Sequence, residues 1–210
     1  RVAEGIQLMS ETADLLHQLD KYEDSKRLHI KVLGLQREIH GKTSLEVAEA
    51  RMNVADECQA LDDDEGAEIE SRKALQIIEM LPKDPNDSRE EDIADALNHL
   101  ANILVSRGGS QRLSEAEGLL KRAIDIDENC DSRGPTDIDT AKHLGTYSDC
   151  LRDQGRYEEA LELQRRAFSI DRDNFMATDV DFGHSCKNLA YTLLDVGGID
   201  EALNLFRRAC

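Results

Sequence analysis

Six histidines and five cysteines are the side chains of this 210-residue chain most suited to metal binding or nucleophilic catalysis, and their spacing supports neither. His17, His29, His40, His99, His143 and His184 include no HExxH pair, the spacing that puts two imidazoles on one helical face beside a glutamate base. No GxSxG elbow holds a serine on a strained turn, and no GxxxxGK[ST] loop offers backbone amides to a phosphate. His184 and Cys186 are two residues apart, which on a helix turns them to different faces and argues against a Cys/His dyad. Cys58, Cys130, Cys150, Cys186 and Cys210 are odd in number and separated by 72, 20, 36 and 24 residues, so neither a CxxC zinc site nor a disulfide framework is expected. Such thiols read as small hydrophobes. Two acidic runs, Asp62-Asp-Asp-Glu65 and Asp125-Ile-Asp-Glu-Asn-Cys-Asp131, look superficially like calcium loops. In the second, Cys130 stands where the sharp turn needs glycine and Thr136 where a bidentate glutamate belongs, so both read as solvated turns. No catalytic residue, metal or cofactor is assigned, and the chain is not read as an enzyme.

The elements that carry these residues are helices. Apolar residues make up 40% and charged residues 33%, a balance that favours a folded, soluble and cytoplasmic chain over a disordered one. A net charge of −18 repels phosphate backbones and anionic lipid, which excludes nucleic acid and membrane as partners. No apolar run approaches the ~18 residues of a membrane span. A repeat then organises the whole sequence: Gly155-Arg-Tyr-Glu-Glu-Ala160 is echoed by segments ending at Ser25, Ala67, Ala116 and Ala202, in steps of 42, 49, 44 and 42 residues. Before each echo runs a helical stripe, as in Ala94, Leu97, Leu100, Ala101 and Leu104; after it runs another, as in Ala160, Leu163, Ala167 and Phe168. Five helix hairpins are predicted, over about 1–43, 44–87, 88–134, 135–178 and 179–210.

Small residues mark the predicted crossings, Ala55 with Ala67, Ala101 with Ala116 and Ala190 with Ala202, allowing helix axes to approach to about 8–10 Å. Glycines and capping residues in His40-Gly-Lys-Thr-Ser44 and Arg133-Gly-Pro-Thr-Asp137, and two prolines in Leu81-Pro-Lys-Asp-Pro-Asn-Asp-Ser88, predict joints between hairpins. About three extra residues around Ser106–Arg112 predict a protruding mobile loop inside the third hairpin.

Leu97-Asn-His-Leu-Ala101, Leu151-Arg-Asp-Gln-Gly-Arg-Tyr-Glu-Glu-Ala160, Lys187-Asn-Leu-Ala190 and the Gly-x-x-x-x-x-Val-Ala joint from Gly41 to Ala48 resemble the tetratricopeptide repeat family, in its longer kinesin-light-chain form. The resemblance covers essentially the whole chain. It implies an all-α, right-handed superhelical solenoid forming a single domain, whose first helices line a concave groove that binds an extended peptide or partner helix. It implies no catalytic residue. Ser25 in place of a crossing alanine, and Asp62, Asp64 and Gly66 in the second turn, depart from the pattern and predict less regular packing there. Arg1 within a helical pattern and Cys210 without a polar cap predict a fragment of a larger protein, able to self-associate through uncapped ends.

In this family the peptide-facing positions flank the mid-helix apolar residue of each first helix. Glu11, Asn53, His99, Thr146 and Asn188 precede it; Asp14, Asp56, Asn102, Asp149 and Tyr191 follow two after it. An asparagine donates and accepts at once, which suits the unpaired main chain of a ligand, so Asn53 and Asn188 lead the candidates, with Asn98 and Asn102 next. Asp14 and Asp56 stand where a carboxylate clamp would need cations. The basic residues Lys142, Arg152, His184 and Lys187 gather toward the C-terminal end, which is expected to tolerate acidic ligand side chains, while residues 44–87 carry a net charge of −9. The middle of the groove is therefore expected to prefer neutral or basic peptide. The alternative role is a regulatory or oligomerisation arm of a larger enzyme or signalling ATPase, working through its outer face or ends. An autonomous hydrolase is a third, weaker reading.

The crossing register is testable at Ala160. Replacing it with Arg is expected to lower stability by about 1–3 kcal/mol through overpacking; an unchanged thermal melt would contradict the register.

Overall fold

The computed structural model describes residues 2–82, 89–130, 133–176 and 180–208, which form ten α-helices and no strand. The chain separates into two compact units, residues 1–103 and 104–210. The first holds α1 (Val2–Gln18), α2 (Tyr22–His40), α3 (Leu45–Ala60), α4 (Asp64–Met80) and most of α5 (Arg89–Arg107). The second holds the end of α5, then α6 (Ser110–Asn129), α7 (Ile138–Asp153), α8 (Tyr157–Asn174), α9 (Val180–Asp195) and α10 (Ile199–Arg208). Helices α1 to α4 pack in chain order in the first unit, and α6 to α10 do so in the second.

Each hairpin turns through the left-handed region. Asp20, Asp62, Gly108, Gly155 and Gly197 all have positive φ, between 58° and 80°. In four of the turns the next residue reaches back five positions: Lys21 N–H donates to the Leu16 carbonyl, Asp63 to Cys58, Arg156 to Leu151 and Gly198 to Leu193, at 2.8–2.9 Å. This closes the first helix with a Schellman-type bond and satisfies a carbonyl the helix end leaves open. Aspartate tolerates the left-handed region better than other side chains, so Asp20 and Asp62 do the work that glycine does elsewhere.

Five residues after four of these turns comes the crossing residue, Ser25, Ala67, Ala160 or Ala202, each wholly buried. Ser25 does not loosen the first hairpin. Its hydroxyl donates to the Ala13 carbonyl at 2.8 Å, so a small polar residue fills the alanine's place with its donor satisfied. Ser148 Oγ makes the mirrored contact to the Ala160 carbonyl at 3.0 Å. In the second hairpin Asp63 caps α4, accepting from Gly66 N at 3.0 Å; a Cβ on Gly66 would stand 2.4 Å from the capping carboxylate. The regular closure there corrects the expectation of looser packing.

The protruding loop is also corrected. Gly108 and Gly109, both with positive φ, reverse the chain at once, and α6 begins at Ser110. Three extra residues are nearly one helical turn, so they lengthen α6 instead of looping out. The joints are capped where expected: Ser44 accepts from Val47 N and Asp137 from Asp139 N. Of the Leu81–Ser88 joint, residues 83–88 lie outside the described residues, as do Arg1 and Cys210.

The cores are aliphatic and local. Val54, Ala55, Cys58, Ala67 and Ile103 form one cluster in the first unit; Phe182, Cys186, Leu189, Ala190, Leu193, Ala202 and Leu205 form another in the second. Burial pushes the Cys58, Cys150 and Cys186 thiols up from their usual range, so these cysteines are packing residues and not nucleophiles. The acidic run at Asp125–Asn129 is helical and not a solvated turn. Asp127 is wholly buried, with the His143 Nδ1 at 2.6 Å and Arg133 Nη1 at 3.2 Å. A second polar tie joins α6 to the α7–α8 turn: Glu117 accepts from Arg156 at 2.9 Å, Lys121 at 2.8 Å and Gln154 at 3.2 Å.

Burial alone would raise the Glu117 carboxyl, but the donors Lys121, Arg156 and Gln154 outweigh it and hold it at about 2. A carboxyl depressed by folding stabilises fully above its unfolded value of 4.5, and that stability is lost as pH falls toward 2. Glu117→Gln is therefore expected to lower stability at neutral pH and flatten the acid-unfolding curve between those values. An acid limb identical to that of the unsubstituted chain, followed by circular dichroism, would contradict this.

Candidate functional site

The polar faces of the first helices carry a cleft in each unit. In the first unit it has a volume of about 490 Å³ and is walled by Asp14 and His17 from α1, His29 from α2, and Asn53, Asp56 and Glu57 from α3. Intervals of three and four residues place Asn53, Asp56 and Glu57 on one face of α3, and an interval of three does the same for Asp14 and His17. Glu57 forms the floor and is 2% exposed. Its Oε1 accepts from Ser25 Oγ at 2.8 Å and from His17 Nδ1 at 3.0 Å, with His29 Nε2 3.6 Å away. The other oxygen, Oε2, is buried with no hydrogen-bond partner. Burial holds the His29 imidazole below its usual range, although Glu57, Asp14 and Asp56 pull it upward.

At the rim of this cleft Asp56 is exposed and meets His99 Nε2 at 2.9 Å, while His99 Nδ1 meets Ser71 Oγ at 2.8 Å. The three residue types are those of a hydrolytic triad. The geometry is not, because Ser71 is 1% exposed and its hydroxyl faces the packed interior of the hairpin, out of reach of a substrate. The relay instead ties α3, α4 and α5 together and fixes the direction of Asp56. Asn102 is exposed on α5. Asn98, expected to be open to a ligand, is buried at 4% exposure, and its Oδ1 has no hydrogen-bond partner.

In the second unit a cleft of about 340 Å³ lies between α7, α8 and α9 and brings together Lys142, Thr146, Asp149, Asp181, His184 and Asn188. Asp149 is exposed at this cleft, with the Arg152 guanidinium beside it at 3.2 Å. Arg152 is anchored, donating to Asp195 at 2.6 Å and to Asp149 at 3.2 Å, so it braces α7 against α9. Lys187 is exposed, and Tyr191, 52% exposed, packs edge-on against Phe206 with ring centroids 5.3 Å apart. Neither lines the cleft. The sequence reading named Asn53, Asp56, Asp149 and Asn188 but missed Glu57 as the floor. Its signal was a lone carboxylate inserted in the apolar stripe Val54, Ala55 and Cys58. No group of three or more metal-ligating side chains suited to an ion occurs among the described residues.

With this geometry in hand, comparison places the chain among helical repeats. Residues 92–173 match the family model of the tetratricopeptide repeat. A Podosopora anserina protein named for kinesin light chain, with nearly identical TPR-like repeats, superposes at a TM-score of 0.73 and 16% identity, over 97% of this chain and 92% of that one. Bacillus thuringiensis PlcR, solved with the peptide PapR7 and DNA, gives 0.70 at 16% identity over 98% of this chain and 68% of that one. The Rap conjugation gene regulator of plasmid pLS20, solved with the Phr* peptide, gives 0.73 at 15% identity over 98% and 52%. These identities establish likeness of fold. No curated protein matches the sequence significantly.

The downward shift of the His29 imidazole has a pH consequence. As pH falls through about 6.5 the unfolded chain takes up a proton there before the folded one does, so stability declines below that pH. His29→Gln is expected to shrink the loss of stability between pH 6.5 and 5. Urea titrations giving the same loss in both proteins would contradict it.

Proposed function

We propose that this chain, whose residues 92–173 match the tetratricopeptide repeat, is a protein-interaction module that captures an extended peptide on the polar faces of its first helices. The observation carrying this reading is that each unit has its own cleft on those faces, with Asn53 in one and Asn188 in the other. Asn188 is exposed and Asn53 half-buried, so both amides are open to a ligand main chain that must pair its N–H and C=O groups. The peptide complexes of PlcR and the Rap regulator, both of this fold, support peptide as the ligand class. The likeness to kinesin-light-chain-type repeats supports a cargo or adaptor role as one version. Ser71 is 1% exposed, so the Asp56–His99–Ser71 relay presents no accessible hydroxyl nucleophile. No helix among the described residues is long and apolar enough to cross a membrane.

Phage display of random dodecapeptides on the full chain tests this reading. Enriched peptides are expected, with Asn53→Ala and Asn188→Ala each weakening the selected binders about fivefold, the worth of one hydrogen bond near 1 kcal/mol. Both variants should melt like the parent. No enrichment, or binders indifferent to both substitutions, would overturn it.

A further inference from the structure

We propose that the cleft of the first unit is a receptor for one basic side chain, the guanidinium of an arginine or the ammonium of a lysine, presented by the bound peptide. The biological occupant rests on the peptide-binding reading; the chemistry of the cleft is argued from its own residues.

Three carboxylates face this cleft, Asp14 and Asp56 exposed at the rim and Glu57 at the floor, and among the described residues no lysine or arginine lines it. The nitrogen bases that line it are His17 and His29, and burial favours the neutral form of His29. Glu57 is the independent sign of a missing partner. It is 2% exposed, yet only Oε1 is engaged, by Ser25 from inside the hairpin and by His17 from the half-open mouth; Oε2 is left without a donor. A carboxylate oxygen withdrawn from water and left without a donor is costly, and an entering cation that supplies one relieves that cost. Arginine meets the geometry best, with five N–H donors in a planar fork on an aliphatic stem that Ala60 can receive at the cleft wall. His99 and Ser71 contribute by fixing Asp56, so one rim carboxylate is oriented before any ligand arrives.

The second unit differs in kind. Its cleft carries Lys142 among Asp149, Asp171 and Asp181, so a cation of the chain already lines it with the acids. Only the first cleft asks its ligand for positive charge.

Titrating the 15N-labelled full chain with Nα-acetyl-arginine methylamide, and separately with its uncharged citrulline counterpart, tests the assignment. Arginine is expected to shift amides around Asp14, Asn53 and Asp56, with citrulline at least about tenfold weaker. Glu57→Gln should weaken arginine similarly; because that residue is buried, the exposed pair Asp14→Asn with Asp56→Asn serves as the second variant and should abolish the preference. Equal response to the two compounds, or a preference unaltered in the double variant, would overturn the proposal. So would shifts at these amides produced by zinc chloride and not by the arginine derivative, which would make the cleft a metal site. If selected peptides bind without needing Arg or Lys, this inference fails and peptide capture stands; if arginine binds here while no peptide is enriched, the reverse holds.

Discussion

The close crossing of two helices at a small residue, set five positions after a left-handed turn, is the constraint on which most of this structure depends. Ser25, Ala67, Ala160 and Ala202 are all wholly buried, and nothing larger leaves the backbones close enough for Ser25 Oγ and Ser148 Oγ to reach carbonyls across the hairpin. Once that approach is fixed, the rest follows. The outer helix supplies an apolar stripe to the next hairpin, and the first helix keeps one face for polar side chains. The clefts lie on that face, lined by polar side chains beside the packed seam.

Polar residues buried at the seams add specificity to an aliphatic core that is interchangeable from hairpin to hairpin. Asp127 with His143 and Arg133 fixes α6 against α7; Glu57 with Ser25 joins α3 to α2. Removing one member of such a set leaves the others buried and unpaired, typically worth about 3–5 kcal/mol for a charged pair. The two sets differ in one respect that matters for function. Asp127 is paired on both oxygens, by His143 on one and Arg133 on the other, whereas Glu57 keeps an oxygen without a donor beside an open cleft. The first arrangement is complete as a structural tie. The second is complete only with something added.

The repeat, the helices, the turns and the crossing residues were legible in the sequence because each is local: a period near 42 residues, an apolar interval of three and four, a glycine or capping residue at a fixed place. The departures were misread where one residue type can serve two ends. Asp20 and Asp62 look like polar turn residues yet hold the left-handed conformation of Gly155 and Gly197. Asp127 looks like part of a solvated acidic run yet is buried, because its partner His143 lies sixteen residues on, across the α6–α7 joint. Asn53 and Asn188 could be placed from helical phase alone. Asn98 could not, since one step of 100° separates the cleft face from the seam. Glu57 needed coordinates, because its partners come from α1 and α2, some thirty to forty residues away.

The account's central claim is that the first-helix faces receive a peptide and that the first unit asks it for positive charge. A crystal structure of the full chain with a display-selected peptide tests this most directly. It should show peptide main chain against the amide of Asn53 or Asn188, with a basic side chain among Asp14, Asp56 and Glu57. Peptide seated on the outer faces of α2, α4, α8 or α10, with the Glu57 cleft holding only water, would contradict it.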